Sequence, residues 1–132
     1  MINIVNKRTH IETPYDIPIH RGFILGNPFT HIQDKPTLAK YICQSREEAI
    51  LNYEKYLNEK IAEKDNDICN ELNRIYKLAL KGDVNLLCYC FPKPCHGNII
   101  RNIIESRIIL NAVKDRKLNQ INGIRIINIL QN

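Results

Sequence analysis

The segment from Cys88 to Gly97 contains the residues best suited to chemistry. It reads Cys-Tyr-Cys-Phe-Pro-Lys-Pro-Cys-His-Gly and places four potential nucleophiles or metal ligands, Cys88, Cys90, Cys95 and His96, within nine residues. A helix is expected to begin at Cys95 and His96. Free amides and the positive end of the helix dipole lower the pKa of a thiol there and make it a better nucleophile. We therefore predict Cys95 and His96 as catalytic residues.

Binding an anion in the same segment requires fewer precisely placed groups than catalysis does. A Cys-His-Gly-Asn turn between a strand and a helix lies where open α/β sheets bind their ligands. This position predicts that Gly97 and Asn98 contact a phosphate or carboxylate group. Lys93 and Arg101 could add positive charge, although each is equally suited to an exposed surface.

A second candidate region is the glycine- and proline-containing loop from Arg21 to Phe29. The Arg21 guanidinium could hold a phosphate with two parallel hydrogen bonds, or could pair with a helix carboxylate and only brace the loop. Glycine allows the backbone to approach a ligand closely, and the Asn27 amide could recognise a polar edge. The predicted ligand-binding residues of this loop are Arg21, Gly22, Gly26, Asn27, Pro28 and Phe29.

Zinc is the alternative occupant of the cysteine-rich segment. Cys88, Cys90, Cys95 and His96 supply the four ligands of a tetrahedral site, and no cofactor is predicted otherwise. Structural zinc sites favour cysteines separated by two to four residues, and adjacent ligands such as Cys95 and His96 bind one ion with difficulty. Cys88 and Cys90 also fit a simpler interpretation, in which both are small buried residues of a core strand.

Periodicity predicts the elements that position these residues. Apolar runs indicate strands at 2–5 and 84–90, the second of them central and buried, and Pro18 confines a strand at 16–20 to a sheet edge. A capping box at Ser45 to Glu48 opens one helix, and a second helix spans 67–80. A third helix begins near His96 and ends by about Arg116. The Asn122-Gly123 pair then predicts a hairpin turn followed by a terminal strand at 124–129.

These elements predict the fold class. A strand, loop and helix unit is typical of α/β proteins, so we expect one small three-layer Rossmann-like domain with a short, mostly parallel sheet flanked by helices. That single domain covers residues 1–132, with a C-terminal extension from about residue 117. The sequence gives no oligomeric state.

Composition limits the functional classes. The chain has 132 residues, 44% of them hydrophobic and 25% charged, which are globular proportions. No apolar window approaches a membrane span and no signal peptide is visible, so we expect a cytoplasmic protein. The odd count of five cysteines argues against a pure disulfide framework. The net charge of +5 suits phosphates or nucleic acid, although the basic residues are scattered among acidic ones.

Several motifs together resemble one family, the bacterial and phage proteins called domain of unknown function 4326. The resemblance is carried by Arg21-Gly22, Gly26 to Phe29, Ser45 to Glu48 with Tyr53, and Cys88 to Gly97, and it covers residues from about 2 to 108. Tyr89 stands where the family commonly has tryptophan. The resemblance implies a shared site, a phage-type source and, for a phage protein, the host cytoplasm.

The sequence leaves two functions to compare. The first is a small α/β protein that binds, and as an enzyme would process, a nucleotide-like or other phosphorylated small molecule between the Arg21 to Phe29 loop and the Cys95-His96 helix start. The alternative is a non-catalytic, zinc-stabilised module that contacts nucleic acid or a host protein through its basic surface. Neither involves a membrane, and the sequence does not decide between enzyme and binding protein.

Overall fold

A three-stranded parallel sheet forms the centre of the fold. In the computed structural model, which describes residues 1–32 and 37–131 and the side chains up to residue 122, the strand order is β1 (Ile2–Asn6), β5 (Val84–Cys88), β2 (Asp16–Pro18). The register pairs Ile4 with Leu86 and Ile17 with Leu86 on the two sides of β5. The predicted central position of β5 and edge position of the proline-containing strand are both confirmed. A separate parallel pair joins β3 (Phe29–Thr30) to β4 (Tyr41–Ile42).

Three helices of the described residues cover the sheet. They are α1 (Arg46–Ala62), α2 (Asn66–Lys81) and α3 (Gly97–Gln131). The Ser45 hydroxyl accepts a hydrogen bond from the Glu48 amide, and the Glu48 carboxylate accepts one from the Gln44 amide, so the predicted capping box opens α1. Asp65 caps α2 in the same way through the Ile68 amide, and α2 ends at Gly82.

One apolar cluster joins these elements. It combines one face of the sheet with side chains from all three helices, among them Ile4, Leu86, Tyr53, Ile75 and Ile100. Tyr53 is fully buried, and its hydroxyl donates to the Leu25 carbonyl at 2.8 Å, so its role is packing, as its helical spacing indicates. The predicted α/β class with a short parallel sheet flanked by helices is confirmed.

The C-terminal prediction was wrong. Residues 122–129 continue α3, which runs without interruption to Gln131, and they form neither a turn nor a strand. The Asn-Gly pair favours a hairpin only when a strand precedes it, and residues 111–121 lack strand alternation. Extending an existing helix costs far less free energy than nucleating a new element, so the helix propagates. None of the helices within the described ranges is long and apolar enough to cross a membrane.

Candidate functional site

A pocket of about 180 Å³ opens where the carboxyl ends of β5 and β2 meet the starts of α1 and α3. Ligands of open α/β sheets bind at this edge because loops and helix N-termini converge there. We call it the thiol–arginine pocket, and its polar and aromatic walls are formed by His20, Arg21, Asn27, Phe29, Thr30, His31, Arg46, Cys88, Tyr89, Cys90, Cys95 and His96.

His96 lines this pocket from the residue before α3. Its ring is buried, contacts the Tyr53 ring edge-on at 4.9 Å between centroids, and has Nε2 2.6 Å from the Ile19 carbonyl oxygen. Because a carbonyl only accepts, Nε2 is the protonated nitrogen of the neutral ring. Burial, with a smaller contribution from the Arg21 charge, lowers the His96 pKa to about 4, although the hydrogen bond to the Ile19 carbonyl opposes the shift. His96 is therefore neutral at physiological pH, and its Nε2–H is committed to the fold.

The three cysteines of the segment meet in the pocket, with unequal roles. The Cys95 thiol donates to Cys88 Sγ at 3.6 Å and accepts from the Gly97 amide at 3.3 Å. Hydrogen bonds to Cys88 and Cys90, together with burial, raise the Cys95 pKa. The helix dipole predicts a lowered Cys95 pKa, whereas the contacts with Cys88 and Cys90 act in the opposite direction and outweigh the single Gly97 amide.

Cys90 has the lowered pKa that was predicted for Cys95. The neighbouring Cys95 thiol and the positive charges of Arg46 and Arg21 lower the Cys90 pKa to about 5, although burial opposes the shift. The same Cys95 thiol makes the largest contribution to lowering the Cys88 pKa, which is about 6. Cys90 lies two residues beyond the end of β5 and is half-buried, so it is the thiolate that a ligand in the pocket can reach.

Arg21 reaches the pocket while bracing its own loop. Its Nε donates to the Asn27 carbonyl at 2.9 Å and its Nη2 to the Phe29 carbonyl at 2.6 Å. A guanidinium carries five N–H groups, so donors remain for a ligand. The predicted loop-bracing role is thus observed, with backbone carbonyls in place of the helix carboxylate.

Other loop residues predicted to bind ligand have structural partners. The Asn27 side chain donates to the Ala49 carbonyl at 3.3 Å and accepts from the Phe29 amide at 2.9 Å. At Gly26, a Cβ would lie 2.9 Å from the Arg21 Cα and from the His20 carbonyl oxygen, so the glycine permits a tight turn. Gly22 and Pro28 line a neighbouring cleft of about 230 Å³ with Gly26. Of this loop, Arg21, Asn27 and Phe29 line the thiol–arginine pocket.

The backbone amides at the start of α3, where an anion was predicted to bind, already donate hydrogen bonds to protein atoms. The Gly97 amide donates to Cys95 Sγ, and the Asn98 amide donates to the Cys95 carbonyl at 3.1 Å. Gly97 and Asn98 do not line the pocket. A Cβ on Gly97 would lie 3.0 Å from the Ile19 side chain, so this glycine allows α3 to approach the sheet closely.

The four residues predicted as alternative zinc ligands do not converge on one point in the described structure. Within residues 1–32 and 37–131, no group of three or more His, Cys, Asp and Glu side chains converges so that it could hold a metal ion. His96 donates Nε2–H to the Ile19 carbonyl, which leaves Nδ1 as the nitrogen that could bind a ligand. In the described residues the four side chains are not arranged around one point as zinc ligands would be.

Sequence reasoning missed Arg46 and His20. Arg46 is the first residue of α1, and its Nη1 lies 3.4 Å from the Pro94 carbonyl oxygen, across the pocket. A cation in the first turn of a helix opposes the helix dipole, and this unfavourable placement is the signal that could have identified it. His20 Nδ1 lies 3.1 Å from the Arg21 carbonyl, while its Nε2 is buried and makes no hydrogen bond with the described residues.

Comparison with known proteins supports the family resemblance. The family model described as Domain of unknown function (DUF4326) matches residues 2–106. The chain is also 31% identical over 108 residues to the uncharacterized 12.4 kDa protein in the nrdA-td intergenic region of Enterobacteria phage T4, covering 80% of this chain and 79% of that protein. No solved structure matches. The predicted phage-type relationship is thus confirmed, and the chain belongs to the family of Domain of unknown function (DUF4326) proteins.

Proposed function

We propose that this protein binds a small anionic, nucleotide-like molecule in the thiol–arginine pocket. The observation that carries the proposal is the convergence of Arg21 and Arg46 on one pocket whose described walls contain no carboxylate. The two guanidinium groups offset the negative charge of the Cys88 and Cys90 thiolates, and no carboxylate of the described walls adds to that charge. Guanidinium groups form the strongest charge-assisted hydrogen bonds with phosphate and carboxylate oxygens.

The remaining walls suit a base or a sugar. Phe29, Tyr89 and His20 present aromatic rings, on which a nucleobase can stack. The unpartnered Nε2 of His20 is an acceptor in the neutral ring, because Nδ1 donates to the Arg21 carbonyl. A ligand hydroxyl or amino group would satisfy it, and a buried acceptor without a partner costs about 1–3 kcal/mol.

The pocket volume limits how much of the ligand is enclosed. Pockets that bury a whole drug-sized molecule measure roughly 300–1,000 Å³, whereas this one measures about 180 Å³. A mononucleotide would therefore be only partly enclosed. We expect a mononucleotide or a phosphorylated sugar rather than a dinucleotide cofactor, and Cys90 rather than Cys95 as the thiolate beside the bound ligand.

The test is calorimetric titration with nucleoside monophosphates and diphosphates, the matching nucleosides and inorganic phosphate, supported by thermal shift. We expect at least one nucleotide to bind, and its nucleoside to bind more weakly. Arg46→Gln should weaken nucleotide binding by roughly ten- to a hundredfold, because a hydrogen bond to a charged group contributes about 1.5–3 kcal/mol. Arg46 is the better target than Arg21, which also holds its loop together.

Lys55→Gln is the matched control, because Lys55 is an exposed cation on the same helix and does not line the pocket. It should leave nucleotide affinity unchanged. The proposal is wrong if no member of the panel binds, or if the two substitutions weaken binding equally. Binding of RNA or DNA with a steep salt dependence, unaffected by Arg46→Gln, would favour the nucleic-acid alternative instead.

A further inference from the structure

Three thiols of different accessibility lie together at the inner end of the pocket. Cys88 ends β5 and Cys95 precedes α3, and both are buried. Cys90 lies in the loop between them, is half-buried and lines the pocket. The chain has two further cysteines, of which Cys43 accepts from the Asn52 amide and Cys69 lies within α2. Neither lines this pocket.

The contacts give each of the three thiols a different chemical environment. The Cys95 thiol donates a hydrogen bond to Cys88 Sγ at 3.6 Å, and the Gly97 amide donates one to the Cys95 sulfur at 3.3 Å. Arg46 and Arg21 face Cys90, so a negative charge on that sulfur is stabilised where external molecules enter. An accessible thiolate beside a buried, protonated thiol is the arrangement of an attacking and a resolving cysteine.

We propose that these residues form a thiol–disulfide exchange site, in which Cys90 attacks a low-molecular-weight disulfide, Cys95 resolves the product and Cys88 receives the Cys95 proton. The inference does not depend on nucleotide binding.

The exchange takes place in two steps, in which atoms and electrons balance. The Cys90 thiolate attacks one sulfur of the disulfide RS–SR, which forms the mixed disulfide Cys90–S–SR and releases RS⁻, protonated by water. Cys88, which is a thiolate because of its lowered pKa, takes the proton of Cys95 as the Cys95 sulfur attacks Cys90 Sγ. The second RS⁻ leaves and is protonated by water. In total the two protein thiols are oxidised to one Cys90–Cys95 disulfide, and RS–SR is reduced to two RSH.

Glutathione disulfide is the probe for this reaction. The wild-type protein is incubated with it, quenched with an alkylating reagent and mapped by mass spectrometry. We expect a Cys90–Cys95 disulfide with little lasting adduct. Cys95→Ser should instead accumulate one glutathione on Cys90, and Cys90→Ser should form neither product. Cys88→Ala should form the adduct at the normal rate and resolve it at least about tenfold more slowly, because it lacks the proton acceptor.

Cys69→Ser is the control and should behave as wild type, because Cys69 lies on α2 outside the pocket. Circular dichroism and thermal denaturation establish that each variant is folded, and the mapped wild-type product tests the proposal even if a variant is not. A mixed disulfide that persists on wild-type Cys90 overturns the proposal. So does equal reactivity of Cys69 and Cys90, or stoichiometric zinc that masks the three thiols.

Discussion

His96 Nε2 lies 2.6 Å from the Ile19 carbonyl oxygen and joins the start of α3 to the chain that leaves β2. The histidine that sequence analysis selected as a catalytic residue thus carries a hydrogen bond between two elements. Its Nε2 proton is not available for acid–base chemistry without breaking that contact. Acid–base chemistry at His96 would therefore use Nδ1, and we expect Cys90 to be the more reactive thiol of the pocket.

We expect His96 to make the protein less stable as pH falls. Its pKa of about 4 in the folded protein lies below the ordinary value of 6.5, so the unfolded chain binds more protons between these values. The stability from neutral His96 is complete above about pH 6.5 and is lost as pH falls toward 4, by at most about 3 kcal/mol. Denaturant unfolding across this range measures the effect.

His96→Gln is the matched variant, because its amide can still donate to the Ile19 carbonyl but does not titrate. The difference in unfolding free energy between wild type and variant should shrink as pH falls from 6.5 to 4. A difference independent of pH would contradict the buried, neutral assignment of His96.

Cys90 should react with alkylating reagents well below neutral pH. Its pKa of about 5 makes it a thiolate at pH 7, whereas an ordinary thiol titrates near pH 8.5. The rate of iodoacetamide modification at Cys90 should therefore reach half its maximum near pH 5. Arg46→Gln should move this midpoint upward, because it removes a stabilising positive charge, and Lys55→Gln should not. Peptide mapping distinguishes Cys90 from Cys69, and equal midpoints in the Arg46→Gln variant and wild type would refute the arrangement.

Gly26→Ala should destabilise the pocket loop. The new Cβ would lie 2.9 Å from both the Arg21 Cα and the His20 carbonyl oxygen, and backbone atoms cannot move aside as a flexible side chain can. We expect a loss of about 1–3 kcal/mol in the free energy of unfolding. Gly82→Ala is the control, since its Cβ would meet nothing within 4 Å, and the change there should stay within about 0.5 kcal/mol. Similar losses at the two positions would argue against the tight turn at Gly26.

A chain that ends after Asn111 should keep the domain folded. Asn111 donates to the Tyr76 hydroxyl at 2.8 Å, and residues 112–122 are exposed beyond that contact. We expect the melting temperature to change by only a few degrees and the helical circular dichroism signal to fall, since the removed residues lie on α3. A loss of strand signal would instead support the terminal strand that α3 replaces. A cooperative collapse of the domain would show that the extension belongs to the core, against the predicted boundary near residue 117.

Local patterns in the sequence were sufficient for most of the elements. The Ser45 capping box, the Asp65 entry to α2 and the apolar run of β5 act over a few residues, through hydrogen bonds and side-chain spacing that any reader of the sequence can see. The position of the site after β5 also followed from the sequence, because ligand sites of parallel sheets lie at the carboxyl ends of strands. The local Asn122-Gly123 signal failed because a hairpin needs a strand on each side of the turn, and residues 97–131 are helical instead.

The chemistry within the site was decided by tertiary structure. Arg46 lies more than forty residues from Cys90 in the chain, and only the packing of α1 against the β5 loop brings their charges together. The pKa of a thiol depends on the charges, hydrogen bonds and burial around it in space. Spacing alone therefore selected Cys95 and His96 as catalytic residues and Cys90 only as an alternative zinc ligand, whereas the fold places beside Cys90 the charges that lower its pKa.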